Sequence, residues 1–266
     1  MRTRLDPDQL AGYSENGYLV VYDFLEAAEL SELTLAIEQT VARLGTARVV
    51  GNPELDEPDD FRHRVVKQRL NLWKVDPVVR RYLLDPGLGQ MLCDLERIDG
   101  IRVWHDQTFF KPPGGQPTAY HHDLPNWSFS SDHGVQIWIA LDDASRDNGC
   151  PYYLPGSHRL TRRDRTATIA GDVCALFELY PELEGIEPLA VELAAGGAIV
   201  HSGLTVHAAG ANMTGRWRRA MTCQYMPDGA TFNGKRSILS REQLAQLRVG
   251  DPLDDDRDFP LIFRRG

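Results

Sequence analysis

Residues 196–226 read GGAIVHSGLTVHAAGANMTGRWRRAMTCQYM, in which two strand-like segments, 198–201 and 218–226, flank a glycine-bearing stretch. Short segments rich in apolar and β-branched residues between turn residues are typical of β-strands. Four more segments of this kind come earlier in the chain, separated by turns rich in glycine, proline and asparagine; they are residues 101–111, 120–123, 135–141 and 189–193. Many short strands joined by such turns predict an antiparallel barrel or jelly roll.

The first hundred residues have a different, mainly helical pattern. Apolar residues recur at helical spacing from Leu30 to Leu44, and Gly45 follows where a helix would end. A second helix is predicted over residues 86–97, and a short strand over residues 18–22 precedes the first helix. Residues 51–60, GNPELDEPDD, are predicted to form an acidic loop.

We interpret the chain as a single domain of residues 1–266. Residues 1–100 would give mainly helical support, residues 101–230 the β core, and residues 231–266 a C-terminal tail. The predicted class is therefore α+β and mainly β, with N-terminal helices packed outside the β core. Two long connections, 124–134 and 161–187, are expected to act as lids or binding loops.

Composition excludes several classes of protein. The formal net charge of −9 disfavours binding to the phosphate backbone of nucleic acid. The N-terminal segment lacks the apolar stretch of a signal peptide, and no run of 18 apolar residues predicts a membrane span. The four cysteines form no CxxC pair, which disfavours a structural zinc site or a disulfide framework. A cytoplasmic protein without a membrane partner is expected.

Three histidine and carboxylate positions indicate a metal site. Tyr120 is followed by His121, His122 and Asp123, and on a strand His121 and Asp123 would project to the same face. His207 lies far downstream, where it can supply a second imidazole. Two histidines and one carboxylate form the facial triad that binds Fe(II) and leaves three positions open. These open positions admit a chelating 2-oxoacid and O2.

An arginine follows the distal histidine at a fixed distance. Arg218 lies eleven residues after His207, at the start of a strand-like segment, and its planar guanidinium suits the far carboxylate of 2-oxoglutarate. His201 competes with His207 as the distal ligand, but Asn212 stands eleven residues after it, so we assign His201 to packing or to support of a ligand. Strand alternation allows only one of Arg218 and Arg219 to face the pocket, and spacing favours Arg218.

Four sequence pieces in this order resemble the phytanoyl-CoA dioxygenase family of iron- and 2-oxoglutarate-dependent oxygenases. They are FFKPPGGQPTAYHHD, VQIWIALDDA, NGCPYYLPGSHR and GGAIVHSGLTVHAAGANMTGRWRRAM. The resemblance implies a double-stranded β-helix, also called a jelly-roll or cupin-like fold. It implies that His121, Asp123 and His207 bind iron and that Arg218 binds 2-oxoglutarate. It also implies that Trp138 lines the co-substrate pocket.

The resemblance carries further expectations about the site. Gln107 would reach the co-substrate from the preceding strand, and Lys67 would match a lysine near it. Ala209 stands where some members have a serine, which removes one hydrogen bond to the co-substrate. Halogenating relatives replace the metal aspartate by a small residue, so Asp123 disfavours halogenation. The implied reaction couples oxidation of a small molecule, most simply its hydroxylation, to release of succinate and CO2, and a membrane or nucleic-acid partner is not implied.

The expected substrate contacts surround the H-x-D triplet and the loop that follows it. The aromatic content of this loop suits a flat or apolar substrate, and nothing in the sequence marks a coenzyme A site. Each of these residues can equally serve packing alone. The candidates are Tyr120, His122, Trp127, Phe129 and His133.

Two other functions remain open from the residues alone. In the first, a cupin-like metal-dependent hydrolase or isomerase uses the same ligands without 2-oxoglutarate, and Arg218 binds substrate or serves the structure. In the second, the barrel binds a ligand without catalysis, which the intact metal set disfavours.

Overall fold

The computed structural model describes residues 1–45, 47–50, 52, 65–169 and 171–266. The predicted acidic loop of residues 51–60 lies outside the described residues except for Asn52. The helices are α1 Pro7–Asn16, α2 Ala27–Leu44, α3 Pro77–Leu83, α4 Pro86–Glu96, α5 Ala175–Leu179 and α6 Arg241–Gln246. Short 3-10 turns lie at Leu72–Lys74, Leu124–Asn126, Arg146–Asn148, Ser157–Arg159 and Pro181–Leu183.

Twelve strands carry the β core of the described residues. They are β1 Tyr18–Val21, β2 Gly100–Thr108, β3 Thr118–His121, β4 Phe129–Ser130, β5 Val135–Ala140, β6 Pro151–Tyr153, β7 Leu189–Ala190, β8 Ala198–Ser202, β9 His207–Ala209, β10 Ala220–Pro227, β11 Thr231–Phe232 and β12 Leu261–Arg264. The predicted strands agree with these bounds to within a few residues.

Ten of these strands form the two antiparallel sheets of the core, and β4 and β11 form a separate two-stranded sheet. The larger has the strand order β1-β8-β5-β10-β2-β12, and the smaller has the order β3-β9-β6-β7. Tyr153 on β6 of the smaller sheet stacks on Tyr18 of the larger sheet, with ring centroids 4.5 Å apart. The inner faces of the sheets therefore meet, as in a double-stranded β-helix, and the predicted fold class is confirmed.

The N-terminal helices cover the outer face of the larger sheet. Ile37 of α2, Leu83 of α3 and Leu92 of α4 are fully buried in one cluster with Val103 and Ile137 of the sheet. The helix ends follow local rules. Glu26 and Glu29 form a capping box at the start of α2, and Arg97 ends α4 in a left-handed conformation with φ of 55°.

The C-terminal segment belongs to the same sheet. β12 pairs with β2, and Arg102 of β2 ties this region together by donating to Asp228 at 2.6 Å, Asp256 at 2.6 Å and the Phe259 carbonyl at 2.9 Å. Residues 231–266 thus contribute a strand to the core in addition to exposed loops. No helix of the described residues has the length and apolar character needed to cross a membrane.

Candidate metal centre and its cavity

His121 and His207 are brought together by strand pairing. β3 and β9 are antiparallel neighbours in the smaller sheet, and their register places His121 directly opposite His207. The two ring centroids are 4.3 Å apart. The pairing of β3 with β9 therefore places the imidazoles of His121 and His207 side by side, although the two residues are far apart in sequence.

Asp123 joins them from a turn, which corrects the strand geometry predicted for the H-x-D triplet. β3 ends at His121, and Asp123 has helical angles, φ −84° and ψ −37°, immediately before a 3-10 turn. The N–H groups of Asp123 and Leu124 both donate to the Gly203 carbonyl, at 3.0 and 2.8 Å, and this contact bends the chain out of the strand. The bend, and not strand alternation, turns the carboxylate toward the histidines.

The three side chains form a set that can hold a metal ion. One ligand atom from each of His121, Asp123 and His207 lies within 4.8 Å of the others, and no other such group occurs among the described residues. The Asp123 carboxylate lies 3.6 Å from Nε2 of His121 and 3.9 Å from Nε2 of His207. This arrangement has the composition of a facial triad.

Backbone carbonyls orient the two imidazoles. Nδ1 of His121 lies 2.8 Å from the Ala119 carbonyl, and Nδ1 of His207 lies 3.0 Å from the Thr205 carbonyl. Because a carbonyl only accepts, each Nδ1 carries the proton and each Nε2 keeps its lone pair for a metal. Burial lowers the pKa of both histidines, so both are neutral ligands at neutral pH. Burial opposes the charge of Asp123, yet the surrounding histidines, His207 foremost, hold its pKa well below the usual range.

Arg218 is a buried cation that has no anionic partner among the described residues. Its side chain is 1% exposed, its Nε has no hydrogen-bond partner, and its guanidinium lies 5.3 Å from the centre of the Trp138 ring. Burial lowers the pKa of Arg218 to about 10, which still leaves it charged at neutral pH. An unpaired buried charge is costly, so the position fits a bound carboxylate such as the distal one of 2-oxoglutarate.

One cavity connects the arginine with the metal ligands. Its empty volume is about 510 Å³, part of which is open to solvent, and this size accommodates a small organic ligand. Thr222 lies opposite both Gln107 and Trp138 on neighbouring strands, which places these two side chains on the cavity face. The predicted site residues that line this cavity are His121, Asp123, His207, Arg218, Trp138 and Gln107.

The five predicted substrate contacts do not line this cavity. Trp127 and Phe129 stack on each other, with centroids 5.4 Å apart, in a buried aromatic cluster. His122 is fully buried, and its Nε2 lies 2.8 Å from the Arg162 carbonyl. Tyr120 packs edge-on against Phe177 at 5.3 Å. The imidazole of His133 is largely exposed and lies 3.3 Å from Glu96.

The competing residues of the sequence analysis also have clear positions. Arg219 points away from the cavity and pairs with Asp142 at 2.6 Å and with Glu38. His201 lines the cavity and contacts Asp123 at 3.2 Å. Lys67 is exposed and lies 4.9 Å from the Trp217 ring, outside the lining residues. Ala209 does line the cavity.

Sequence reasoning missed several residues of the cavity wall. Gln136 stands two residues before Trp138 on β5, so strand alternation from Trp138 would have identified it. Tyr153 lies in the quoted piece NGCPYYLPGSHR, yet only the pairing of β6 with β9 shows that it faces His207. Phe109, Thr118, Pro151 and Ala208 complete the lining.

A second buried basic side chain belongs to Lys111, which lies next to Arg218 and forms an isolated antiparallel β-bridge with it. Its side chain is 0% exposed, and its Nζ donates to the Gln116 carbonyl at 2.7 Å. Burial, aided by Arg218, lowers the pKa of Lys111 from 10.5 to about 7. The amine is thus largely neutral in the folded chain above pH 7, and Arg218 is left as the strong cation of this region.

We expect this lysine to make stability depend on pH. Between pH 7 and 10.5 the unfolded chain binds a proton at Lys111 that the folded chain does not, so the free energy of unfolding rises with pH through that window. From pH 7 to pH 9 wild type should gain about 2 kcal/mol relative to Lys111→Met, as measured by urea unfolding of both proteins. A difference that stays constant with pH would mean that Lys111 is charged in the folded state.

Known proteins share this fold and sequence pattern. The family model described as Phytanoyl-CoA dioxygenase (PhyH) matches residues 13–220. A probable alpha-ketoglutarate-dependent hypophosphite dioxygenase from Stutzerimonas stutzeri is 26% identical over 82% of this chain and 77% of its own length.

Solved structures agree with this assignment. The non-heme alpha ketoglutarate dependent carbocyclase SnoK from nogalamycin biosynthesis matches with a TM-score of 0.79 and 26% identity, over 97% of this chain and 96% of its own. The epimerase SnoN, in complex with Fe3+, alpha ketoglutarate and nogalamycin RO, matches with a TM-score of 0.77 and 25% identity, over 96% of this chain and 97% of its own.

These matches do not favour a cupin-like hydrolase or isomerase that works without 2-oxoglutarate, and they confirm the expected cofactors, iron, 2-oxoglutarate and O2. The resemblance noted from the four sequence pieces is likewise confirmed. The chain belongs to the phytanoyl-CoA dioxygenase (PhyH) family and is an iron- and 2-oxoglutarate-dependent dioxygenase that acts on a small molecule.

Proposed function

We propose that His121, Asp123 and His207 hold the ferrous ion and that Arg218 anchors 2-oxoglutarate in the adjoining cavity. The observation that carries this proposal is the buried guanidinium of Arg218, which pairs with no carboxylate of the described residues and shares a cavity with the three ligand atoms. Trp138 flanks the guanidinium, and Gln107 offers an amide from the neighbouring strand pair. The three ligands leave part of the metal's coordination sphere free for the co-substrate.

The residues around the metal position the reactants and limit access by water. Iron, with 2-oxoglutarate and O2, supplies the oxidising power that converts a C–H bond to C–OH with release of succinate and CO2. Arg218 fixes the distal carboxylate and thereby the orientation of the oxoacid end. The apolar walls formed by Phe109, Trp138 and Pro151 keep the surroundings of the reacting groups dry.

Hydroxylation of a small organic molecule is the reaction that we propose. Asp123 supplies the carboxylate ligand, so no coordination position is reserved for a halide. The names of the relatives include a carbocyclase and an epimerase, which shows that similar folds serve other outcomes in those proteins. Contact of the substrate with Tyr120, His122, Trp127, Phe129 or His133 stays a prediction, since the cavity described above is lined by other residues.

We further propose that residues 1–266 act as one domain in the cytoplasm, without a nucleic-acid or membrane partner. Strands from both ends of the chain, β1 and β12, complete the sheet that carries Gln107 and Trp138, which supports a single unit. All four cysteines are unpaired, which suits a reducing compartment. The charge of −9 supports the absence of a nucleic-acid partner.

Anaerobic titration tests the proposed site directly. Addition of Fe(II) and then 2-oxoglutarate to the metal-free protein should produce the weak visible charge-transfer band of an iron–oxoacid chelate. The same addition to His207→Ala should give no band, because one imidazole ligand is missing. A band of equal strength in both proteins would remove His207 from the ligand set, and no band in wild type would overturn the proposed chelate.

A further inference from the structure

His201 contacts the metal-binding carboxylate but belongs to a different sheet from the histidine ligands. It lies on β8 of the larger sheet, is 1% exposed, and its Nε2 is 3.2 Å from Oδ2 of Asp123. His121 and His207 are each held by a backbone carbonyl. The carboxylate of Asp123, by contrast, has His201 as its recorded hydrogen-bond partner among the described residues.

Asp123 and Tyr153 together determine which nitrogen of His201 carries the proton. The hydroxyl of Tyr153 lies 3.0 Å from Nδ1 of His201, and both side chains are at most 1% exposed. Because a carboxylate only accepts, the contact with Asp123 requires the proton on Nε2, and Nδ1 of the neutral ring then accepts from the Tyr153 hydroxyl. That Nε2–H points at Asp123, so Tyr153, His201 and Asp123 form a hydrogen-bond chain that runs in one direction.

Two amides on neighbouring strands hold the ring of His201 in place. Gln136 on β5 stands directly opposite His201, with its amide 3.2 Å from Nε2, and Gln224 on β10 stands opposite Gln136 and contacts it. Oε1 of Gln224 is buried and has no hydrogen-bond partner within the described part of the chain. If both side-chain amides are turned by 180°, the NH2 group of Gln136 donates to Oε1 of Gln224. The oxygen of Gln136 then faces the Nε2–H of His201.

The hydrogen bonds from Tyr153 through His201 to Asp123 constrain how Asp123 binds a metal ion. A carboxylate has two oxygens, and one that is free to rotate can bind a cation through either or both. With Oδ2 engaged by His201, Oδ1 is left for the metal, and it faces His121 at 3.6 Å. Ligation through one oxygen keeps the remaining positions available for the oxoacid and O2.

We propose that His201 is a positioning residue which, through the Tyr153–His201–Asp123 chain, fixes Asp123 as a one-oxygen metal ligand. This inference rests on the proposed function, because it takes Asp123 to be a ligand. It assigns His201 neither coordination of the metal nor contact with the substrate. Its effect is to keep one carboxylate oriented, as hydrogen-bonded neighbours of metal ligands do elsewhere.

Binding of Co(II) alone tests the proposal without requiring turnover. His201→Phe keeps a ring of similar size but loses the donor, and it should weaken Co(II) binding by about 10- to 100-fold. His201→Gln places an N–H near the position of Nε2 and should bind Co(II) within roughly threefold of wild type. Urea unfolding of the metal-free proteins checks that each variant folds. If His201→Phe does not fold, Tyr153→Phe, which removes only the hydroxyl, should weaken binding in the same direction.

A double-mutant cycle with Asp123→Ala separates positioning from a general structural role. Because His201 acts through Asp123, His201→Phe should have no further effect on Co(II) affinity once the carboxylate is gone. An equal loss of Co(II) affinity from His201→Phe in the wild-type and Asp123→Ala backgrounds would overturn the proposal. A loss of affinity in His201→Gln as large as that in Asp123→Ala would also overturn it, because His201 would then be a ligand itself. If Asp123→Ala binds Co(II) as wild type does, the ligand set of the proposed function fails; if only His201→Phe is without effect, the ligand set stands and the positioning role fails.

Discussion

Asp123→Ala is expected to abolish succinate formation from 2-oxoglutarate, with a loss of about 1000-fold or more, equivalent to about 4 kcal/mol of transition-state free energy. The carboxylate is the only anion among the described residues that line the cavity, so its removal leaves the metal with two neutral ligands. Succinate released after addition of Fe(II), 2-oxoglutarate and O2 can be quantified by mass spectrometry. His207→Ala should show a comparable loss.

A matched control separates loss of the ligand from loss of an acidic residue. Asp132 is an exposed aspartate nine residues away, and it lies 3.8 Å from the guanidinium of Arg163. Asp132→Ala should keep wild-type succinate formation. Undiminished turnover in Asp123→Ala or His207→Ala would show that the metal is held elsewhere.

Arg218→Met is expected to raise the concentration of 2-oxoglutarate needed for half-maximal binding by about 100-fold. Two charge-assisted hydrogen bonds from a buried guanidinium to a carboxylate contribute about 3 kcal/mol, which corresponds to that factor. The charge-transfer band provides the titration signal under anaerobic conditions. Arg218→Lys should recover part of the affinity, because it restores the charge without the planar fork.

Comparison with a shorter oxoacid makes this test specific. Pyruvate has the chelating oxoacid group but lacks the distal carboxylate, so its affinity should be nearly the same in wild type and in Arg218→Met. Arg216→Met is the matched control, since Arg216 is exposed and lies two residues away. Equal weakening of pyruvate and 2-oxoglutarate in Arg218→Met would mean that the arginine supports the cavity without binding the carboxylate.

Local spacing was sufficient to predict several of the residues that meet in the cavity. His207 and Arg218 are eleven residues apart, an interval that spans β9 and the connection to β10, and both line the cavity. Gln107 and Trp138 were predicted from the family resemblance, and both line the cavity. Strand alternation was the wrong geometric reason for the position of Asp123. The chain bends there because the N–H groups of Asp123 and Leu124 donate to the carbonyl of Gly203, a residue eighty positions away.

The wall of the cavity could not be predicted in the same way. Trp127 and Phe129 follow the metal aspartate closely, yet they pack with Trp104, Phe232 and Phe259 in a separate buried cluster. Proximity in sequence does not indicate whether a side chain that follows a turn lines the cavity or packs in this separate cluster. His201 and Tyr153 lie on different sheets, and their contact depends on how the sheets face each other, which strand periodicity does not encode.

The two outermost strands of the larger sheet, β1 and β12, come from opposite ends of the polypeptide. β1 pairs with β8, which carries His201, and β12 pairs with β2, which carries Gln107, so each outer strand hydrogen-bonds to the main chain of a strand that contributes to the cavity. Deletion of β1 or of β12 would therefore leave a row of unpaired amide and carbonyl groups on β8 or β2, the strands that carry cavity residues. An exposed edge of this kind invites pairing with another molecule, so these two strands protect the cavity strands against self-association as well as completing the sheet.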